Sequence, residues 1–437
     1  MPAPPQALGG VAAWPTRACG QHYPVGVVFL FVTLVLKAAI SLRGTARVLA
    51  VVRNFCGLAL AVPDWTTGRS WLLRVGYYKL MRAKEVADDW VWFIDHSCQI
   101  GTAKCLVILG LRLRDLPPPG ECLCLEHLEP LEVLPVQSST QHEVAAQLTA
   151  VAARTGPPRA IVRDDGSDLR GGVDLFRARH PQTADLDDIK HKTACLLRQV
   201  LERDAQWAEF NRRAGATKCQ VQQTELAFLA PPSQRLKARY MNLGELVRWG
   251  AATLALVDRP SAAVLRQVTV ERLEAKLGWL RPYRAALAEW SQLLSVATIA
   301  EEFVRRHGLY VGAAWDLARR RPPGLVPGRA RQLWHDLVKH VAQQAAQARP
   351  GERLPGSTEA LESCFGKLKQ LEKEHNRSGF TGLLLALGAV VSRTTAEMVQ
   401  AALEYCPLKK VWRWCKEKLG QSVQSQRRQA YAREPAQ

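Results

Sequence analysis

No apolar run in this 437-residue chain is long enough to cross a membrane as a helix. The run Val25–Leu36 ends at Lys37, well short of the roughly 20 residues a span needs. Only Arg17 is basic ahead of it and no small-residue cleavage site is clear, so a buried helix is expected there rather than a signal or an anchor. The eleven cysteines are odd in number, scattered, and never spaced Cys-x-x-Cys. That spacing speaks against a disulfide framework and for free thiols in a reducing cytosol. Cys122-x-Cys124 with His127 could begin a zinc site, but no second ligand pair follows it. No internal repeat is present, which removes solenoids from consideration. Acids are in deficit, 40 Asp+Glu against 59 Lys+Arg, for a formal net charge of +19. Such an excess concerns partners rather than fold, and points to a polyanion. Arginine carries most of it, and arginine suits planar contacts to phosphate and guanine.

Hydrophobic residues make up 47% of the chain, which excludes wholesale disorder, and the length suits about two to four domains. Residues 1–24 are rich in Pro, Ala and Gly and are expected to be loose. Residues 25–86 read as helices. Ser41 is an N-cap candidate for one, and a second spans about 66–80 after Pro63-Asp64, with Trp71, Leu72, Val75 and Tyr78 on its apolar stripe. Residues 42–84 hold eight Lys/Arg and one acid, Asp64. Arg43 and Arg47 lie on the first helix, and Arg69, Arg74 and Lys79 on the second. Two short helices around a turn suggest a helix-turn-helix-like DNA-binding domain, and an ordinary helical hairpin with a solvated basic face fits as well.

Residues 87–182 change character. Trp90–Ile94 and Lys104–Leu113 are β-type runs, Leu123–Val136 allows a third strand, Gln141–Ala153 is helical, and Ala160–Val162 is a fourth strand. Residues 183–350 read as helix almost throughout, with segments at 190–212, 236–257, 262–277, 283–294, 299–306 and 330–346. In 351–406 a helix runs from Glu359 to about His375, followed by Phe380–Val391 and Thr395–Tyr405. The tail 407–437 carries eight Lys/Arg and two acids, with Trp412 and Trp414 interleaved.

Three places carry candidate chemistry. Asp95 follows the strand Trp90–Ile94, where a carboxylate either caps a turn or binds a metal. The fourth strand runs into Asp164-Asp165-Gly166-Ser167-Asp168. Three carboxylates so close repel one another unless a cation sits among them, although a polar turn with an Asx cap also fits. Glu362 lies on a predicted helix, with Glu359 three residues before it on the same face and Lys369 about two turns later. That pattern is equally compatible with a solvated amphipathic helix.

Taken in order, these residues resemble the ribonuclease H-like DDE transposases of bacterial insertion sequences. Phe93-Ile-Asp-His96 resembles the first-Asp motif, Ile161-Val-Arg-Asp-Asp-Gly-Ser-Asp-Leu169 the second, and Leu361-Glu-Ser-Cys-Phe-Gly-Lys-Leu-Lys369 the Glu motif. The strand–strand–strand–helix–strand order matches that family's core. Glu362 and Lys369 keep the spacing of the family's Tyr-Arg-Glu-Lys signature, but Pro355 and Thr358 stand where it has Tyr and Arg. Asp188-Ile-Lys-His191 resembles a motif found after the second Asp in several transposase superfamilies.

The resemblance implies an α/β ribonuclease H-like core (87–182 and 351–406) interrupted by an all-α insertion (183–350). It implies catalytic and metal-binding roles for Asp95, Asp164 and Glu362, with Asp165, Asp168, Asp188, His191 and Lys369 as supporting or alternative residues. Two Mg²⁺ or Mn²⁺ ions would be held between the carboxylates. Double-stranded DNA, as element ends and target, is the implied partner. Arg43, Arg47, Arg69, Arg74, Lys79 and a base-stacking Trp290 are candidate contacts, although a core role for Trp290 is also open. A homodimer or larger synaptic complex in a bacterial cytoplasm, nucleoid-associated when bound to DNA, is the implied setting. A decayed or repurposed DNA-binding copy and a ribonuclease H-like nuclease without strand transfer are the alternatives.

Overall fold

The computed structural model describes residues 15–100, 103–136, 138–233, 243–373, 381–421 and 423–432. Parts of the loose N-terminus (1–14), of the helices expected at 236–257 and 359–375, residue Phe380 and the end of the tail lie outside them. The chain divides into two compact units. The first comprises residues 1–118, 122–186 and 358–437, and the second 119–121 and 187–357.

The first unit opens with α1 (Val25–Lys37), α2 (Leu42–Cys56) and α3 (Trp65–Met81). Then come β1 (Trp90–Ile100), β2 (Ala103–Arg112), β3 (Glu129–Val136), α4 (Gln141–Thr155), β4 (Ala160–Arg163), α5 (Ser167–Arg177) and β5 (Ala184–Asp187). The second unit holds α6 (Ile189–Leu201), α7 (Ala205–Val221), α8 (Leu243–Asp258), α9 (Ala262–Leu265), α10 (Val270–Leu277), α11 (Arg284–His307), α12 (Ala313–Ala318) and α13 (Arg329–Ala345). The chain then returns to the first unit with α14 (Glu359–Lys373), α15 (Ala386–Val390), α16 (Ala396–Tyr405), α17 (Leu408–Leu419) and α18 (Val423–Ala430). α1 is a buried-type helix of 13 residues, and among the described residues no helix is long and apolar enough to cross a membrane.

The sheet of the first unit has the order β3-β2-β1-β4-β5, with β1–β2 and β2–β3 antiparallel and β1–β4 parallel. Side chains alternate across it. Trp90, Trp92 and Ile94 join Leu106, Ile108 and Ile161 in one core with Val144, Leu148 and Val151 of α4 and Leu169, Val173 and Phe176 of α5. The strands β1 to β4 and the helix α4 fall where sequence pattern expects them. α5 and β5 were not anticipated.

On the sheet's other side, the intervening positions Val91, Phe93, Val107, Leu109 and Val133 are equally buried. α3, α15 and α17 pack on β3, and α14 packs on β1. The crossing of α3 and α15 is a backbone-to-backbone contact. A Cβ on Gly76 would fall 1.8 Å from the Leu385 carbonyl oxygen, and one on Gly388 would fall 2.5 Å from the Gly76 oxygen. Only glycine permits so close an approach. The N-terminal helices therefore pack into the sheet-bearing unit and close it together with C-terminal helices.

This packing corrects part of the expected DNA-contact set. Lys79 has no exposed surface, and its ammonium donates to the carbonyls of Ala389 at 3.3 Å, Val391 at 2.9 Å and Ser392 at 3.0 Å, and to Thr394 Oγ1 at 2.8 Å. Arg74 is also buried, donating to the Leu403 carbonyl and to Gln21 Oε1. Both cations are consumed inside the fold and have no route to phosphate. Arg43 and Arg47 are exposed on α2, with the Arg43 guanidinium 4.7 Å over the Trp65 ring, while Arg69 is partly buried with its guanidinium 5.8 Å over Trp412.

The second unit is all helical. The helix expected over 190–212 is two helices: α7 restarts at Asp204, whose carboxylate accepts from the amides of Gln206 and Trp207 and so caps the new N-terminus. The segments expected at 283–294 and 299–306 are one helix, α11. Its Trp290 is 1% exposed, meets Trp207 edge-on at 4.9 Å and donates its indole N–H to Asp204 at 3.1 Å. Trp290 is thus a core residue tying α11 to the α7 cap, and is not available for stacking on a base.

Candidate active site

β1 and β4 run parallel with Phe93 opposite Val162 and Ile94 opposite Arg163. One residue further along each strand stand Asp95 and Asp164. Ile94 faces the α4/α5 core, so alternation turns Asp95 to the opposite face, the one shared by Phe93 and by its partner across the ladder, Val107. Asp95 lies within the strand, with Oδ1 accepting from the His96 amide at 2.6 Å. Asp164 lies just past the end of β4, and its Oδ1 accepts from the Gly166 amide at 3.0 Å, an Asx turn that fixes the carboxylate in place.

Glu362 stands in the first turn of α14, with its amide bonded to the Thr358 carbonyl at 3.1 Å. α14 buries Leu361, Cys364, Phe365 and Leu368, the i, i+3, i+4, i+7 stripe of an amphipathic helix, and it packs on β1. Glu362 stays half-buried beside that stripe, while Lys369, two turns on, is exposed. Thr358 and Pro355, which stand in place of the signature's Arg and Tyr, are buried.

The other acids near the second Asp are engaged elsewhere. Asp168, on α5, receives the Lys104 ammonium at 2.6 Å and lies 3.9 Å from His96 Nε2. The imidazole contacts Ser139 Oγ at 3.0 Å. Burial pushes the Asp168 carboxyl up, but hydrogen bonds from Lys104 and Ser139 and the nearby His96 outweigh it and hold the group below the usual carboxylate range. Burial also lowers the His96 imidazole, and Lys104 adds to this against the pull of Asp168 and Asp164. His96, one residue on from Asp95, and Lys104, paired across the hairpin with Gln99, face the α5 side of the sheet. Asp165 is 60% exposed and pairs with Arg170 at 3.6 Å. Arg163, between β1 and β5, donates to Asp185 at 2.7 Å. The sequence carried one signal for this second polar cluster, the hairpin register that brings Lys104 back beside the 90s, but it did not reveal Asp168 as its partner.

In the second unit Asp188 is buried as the N-cap of α6, accepting from the His191 amide at 3.1 Å and contacting His191 Nδ1 at 2.9 Å. Cys122, Cys124 and His127 do not assemble three ligand atoms. The Cys124 amide instead donates to His127 Nδ1 at 3.0 Å, closing a short turn.

The carboxylate oxygens of Asp95, Asp164 and Glu362 do not all lie within 4.8 Å of one another. A single ion held by all three is therefore not the arrangement here. Two ions about 3.5–4 Å apart, each about 2.1 Å from its oxygens, leave the outer carboxylates further apart than that.

The chain matches no protein-family model and no curated protein. Among solved structures it is similar to the Drosophila P element transposase strand transfer complex, at 10% sequence identity over 88% of this chain and 94% of that chain, with a TM-score of 0.38. A score at that level transfers neither chemistry nor individual residues from one chain to the other.

Proposed function

We propose that the protein is a DDE-type DNA transposase with a ribonuclease H-like core, in which Asp95, Asp164 and Glu362 form the catalytic set. The observation that carries this reading is the parallel pairing of β1, which bears Asp95, with β4, which Asp164 directly follows, together with the packing on β1 of the helix that bears the motif glutamate. The β1-β2-β3-α4-β4 succession supports it.

The donor set fits hard divalent cations. All three ligands are carboxylates, and the nearby cations Lys104 and His96 are engaged by Asp168. Bound Mg²⁺ or Mn²⁺ would supply activation of the attacking hydroxyl and stabilisation of the leaving oxygen. The protein's own contribution is positional. The β1 ladder and the Gly166 amide fix the backbone settings of Asp95 and Asp164, α14, which bears Glu362, packs on β1, and Lys369 offers a point charge for phosphate. The exposed Arg43 and Arg47 provide phosphate contacts. Asp164 is taken as the second carboxylate over Asp165, which is 60% exposed and pairs with Arg170, and over Asp168, which holds the Lys104 ammonium.

The test is single substitution. Asp164→Asn should abolish metal-dependent nicking of DNA carrying the element's ends, with Asp165→Asn close to wild type. Full activity in Asp164→Asn would remove it from the set.

A further inference from the structure

The turn that carries Asp164 holds three acids in five residues, and two of them are given a cation by the protein itself. Asp165 pairs with Arg170 at 3.6 Å, and Asp168 with Lys104 at 2.6 Å. The two pairs differ in setting. Asp165 and Arg170 are both exposed, where an ion pair contributes little. Lys104 and Asp168 are only 28% and 13% exposed, and the lysine comes from β2 while the acid stands in the first turn of α5. That link is sheltered from water and ties a strand to a helix.

Asp168 is the hub of the link. Its Oδ2 takes the Lys104 ammonium and lies 3.9 Å from His96 Nε2, which contacts Ser139 Oγ at 3.0 Å. Its Oδ1 accepts from the Leu169 amide at 3.1 Å and borders Gly166. A Cβ on that glycine would fall 3.3 Å from Asp168 Oδ1 and 3.1 Å from Asp164 Oδ1, so the two carboxylates flank one backbone position. His96 and Gly166 are also the residues whose amides hold the proposed metal ligands. The His96 amide donates to Asp95 Oδ1 at 2.6 Å, and the Gly166 amide to Asp164 Oδ1 at 3.0 Å. Asp168 thus stands against both of the residues that set the two aspartates, and all of them belong to the first unit.

We propose that Lys104 is a positioning residue for the metal-binding carboxylates: by fixing Asp168 it sets His96 and Gly166, and through their amides Asp95 and Asp164. This role rests on the catalytic reading of the two aspartates. Without the ammonium, a sheltered carboxylate four residues from Asp164 loses its cation. It then repels its neighbour, turns to solvent or draws a metal ion itself, and each outcome shifts the turn that Asp164 sits on. Charge alone gives the opposite sign. Taking a cation away from beside a cation site tightens ion binding by Coulomb's law, whereas losing the positioning weakens it.

The test is Mn²⁺ binding by the full chain without DNA, followed by the loss of the free ion's electron paramagnetic resonance signal, with the urea midpoint of each variant measured alongside. Asp164→Asn, which should lose the ion, marks the site. Lys104→Met should raise the Kd for Mn²⁺ about tenfold or more, whereas Lys104→Arg keeps most of the affinity. Asp168→Asn should weaken binding too, and the double variant Lys104→Met/Asp168→Asn should be no weaker than Lys104→Met alone, because both act through one link. If Lys104→Met does not fold, Asp168→Asn carries the same expectation. Unchanged or tighter Mn²⁺ binding in Lys104→Met, with Asp164→Asn defective, would overturn the positioning role alone. So would weaker binding that Lys104→Arg fails to restore while both variants lose the same urea midpoint, which would make Lys104 a structural strut. Mn²⁺ binding indifferent to Asp164→Asn would overturn the catalytic reading and this role with it.

Discussion

Lys79→Met tests whether α3 is a DNA reader or an internal strut. The ammonium lies 2.8–3.3 Å from three backbone carbonyls and Thr394 Oγ1, with no exposed surface. Methionine keeps the apolar stem and removes the donor. Each carbonyl left without a partner costs about 1–3 kcal/mol. Removing a buried charge, whose pKa burial already lowers to about 7, returns part of that. The balance is a loss of about 3 kcal/mol. With a urea m-value of about 3 kcal/mol/M, suited to a chain of this size, the unfolding midpoint of the first unit should fall by about 1 M. Urea titration of the full chain, read beside DNA affinity at fixed salt, checks it. An unchanged midpoint together with weaker, less salt-dependent DNA binding would refute the assignment and restore Lys79 as a phosphate contact.

Trp290→Ala should lose about 3–5 kcal/mol of second-unit stability, as a large buried aromatic does, while duplex affinity stays near wild type. Reduced affinity at unchanged stability would return Trp290 to the DNA-contact set. His340 is buried on α13 with its pKa lowered to about 4, by burial first and Lys192 second. The unfolded chain binds this proton more readily, so the contribution to stability is complete above about pH 6.5, declines as pH falls towards 4, and levels off below that. The full loss is about 3 kcal/mol. Denaturation midpoints compared at pH 7.5 and 4.5 should therefore converge in His340→Leu relative to wild type, and an identical pH dependence in both proteins would contradict the assignment.

What the sequence made legible were the elements whose pattern is local. Trp90–Ile94 and Ala160–Val162 are continuous apolar runs, as strands buried on both faces are, and both became sheet neighbours. α5 escaped because Gly171-Gly172 reads as a breaker. In the fold Gly172 is there for packing, since a Cβ at that position would fall 2.5 Å from Val144 on α4. β5 is four residues, Ala-Asp-Leu-Asp, with only Ala184 and Leu186 buried, too short for periodicity to register. The fates of Arg74 and Lys79 were hidden for a different reason. Their acceptors, Leu403 and the 389–394 turn, lie about three hundred residues further along the chain, and spacing within α3 says nothing of what covers it. The same holds for the proposed site. The motif positions were visible in the sequence, but the parallel pairing that sets the end of β4 beside β1 is one that no local pattern encodes.

The most direct measurement of the central claim is metal-dependent cleavage by the purified full chain of a DNA fragment carrying the element's ends, wild type beside Glu362→Gln. The account predicts nicking at the ends with Mg²⁺ or Mn²⁺ in the wild type, and none in the variant at equal DNA affinity. Cleavage that survives Glu362→Gln, or binding without cleavage in both proteins, would contradict it.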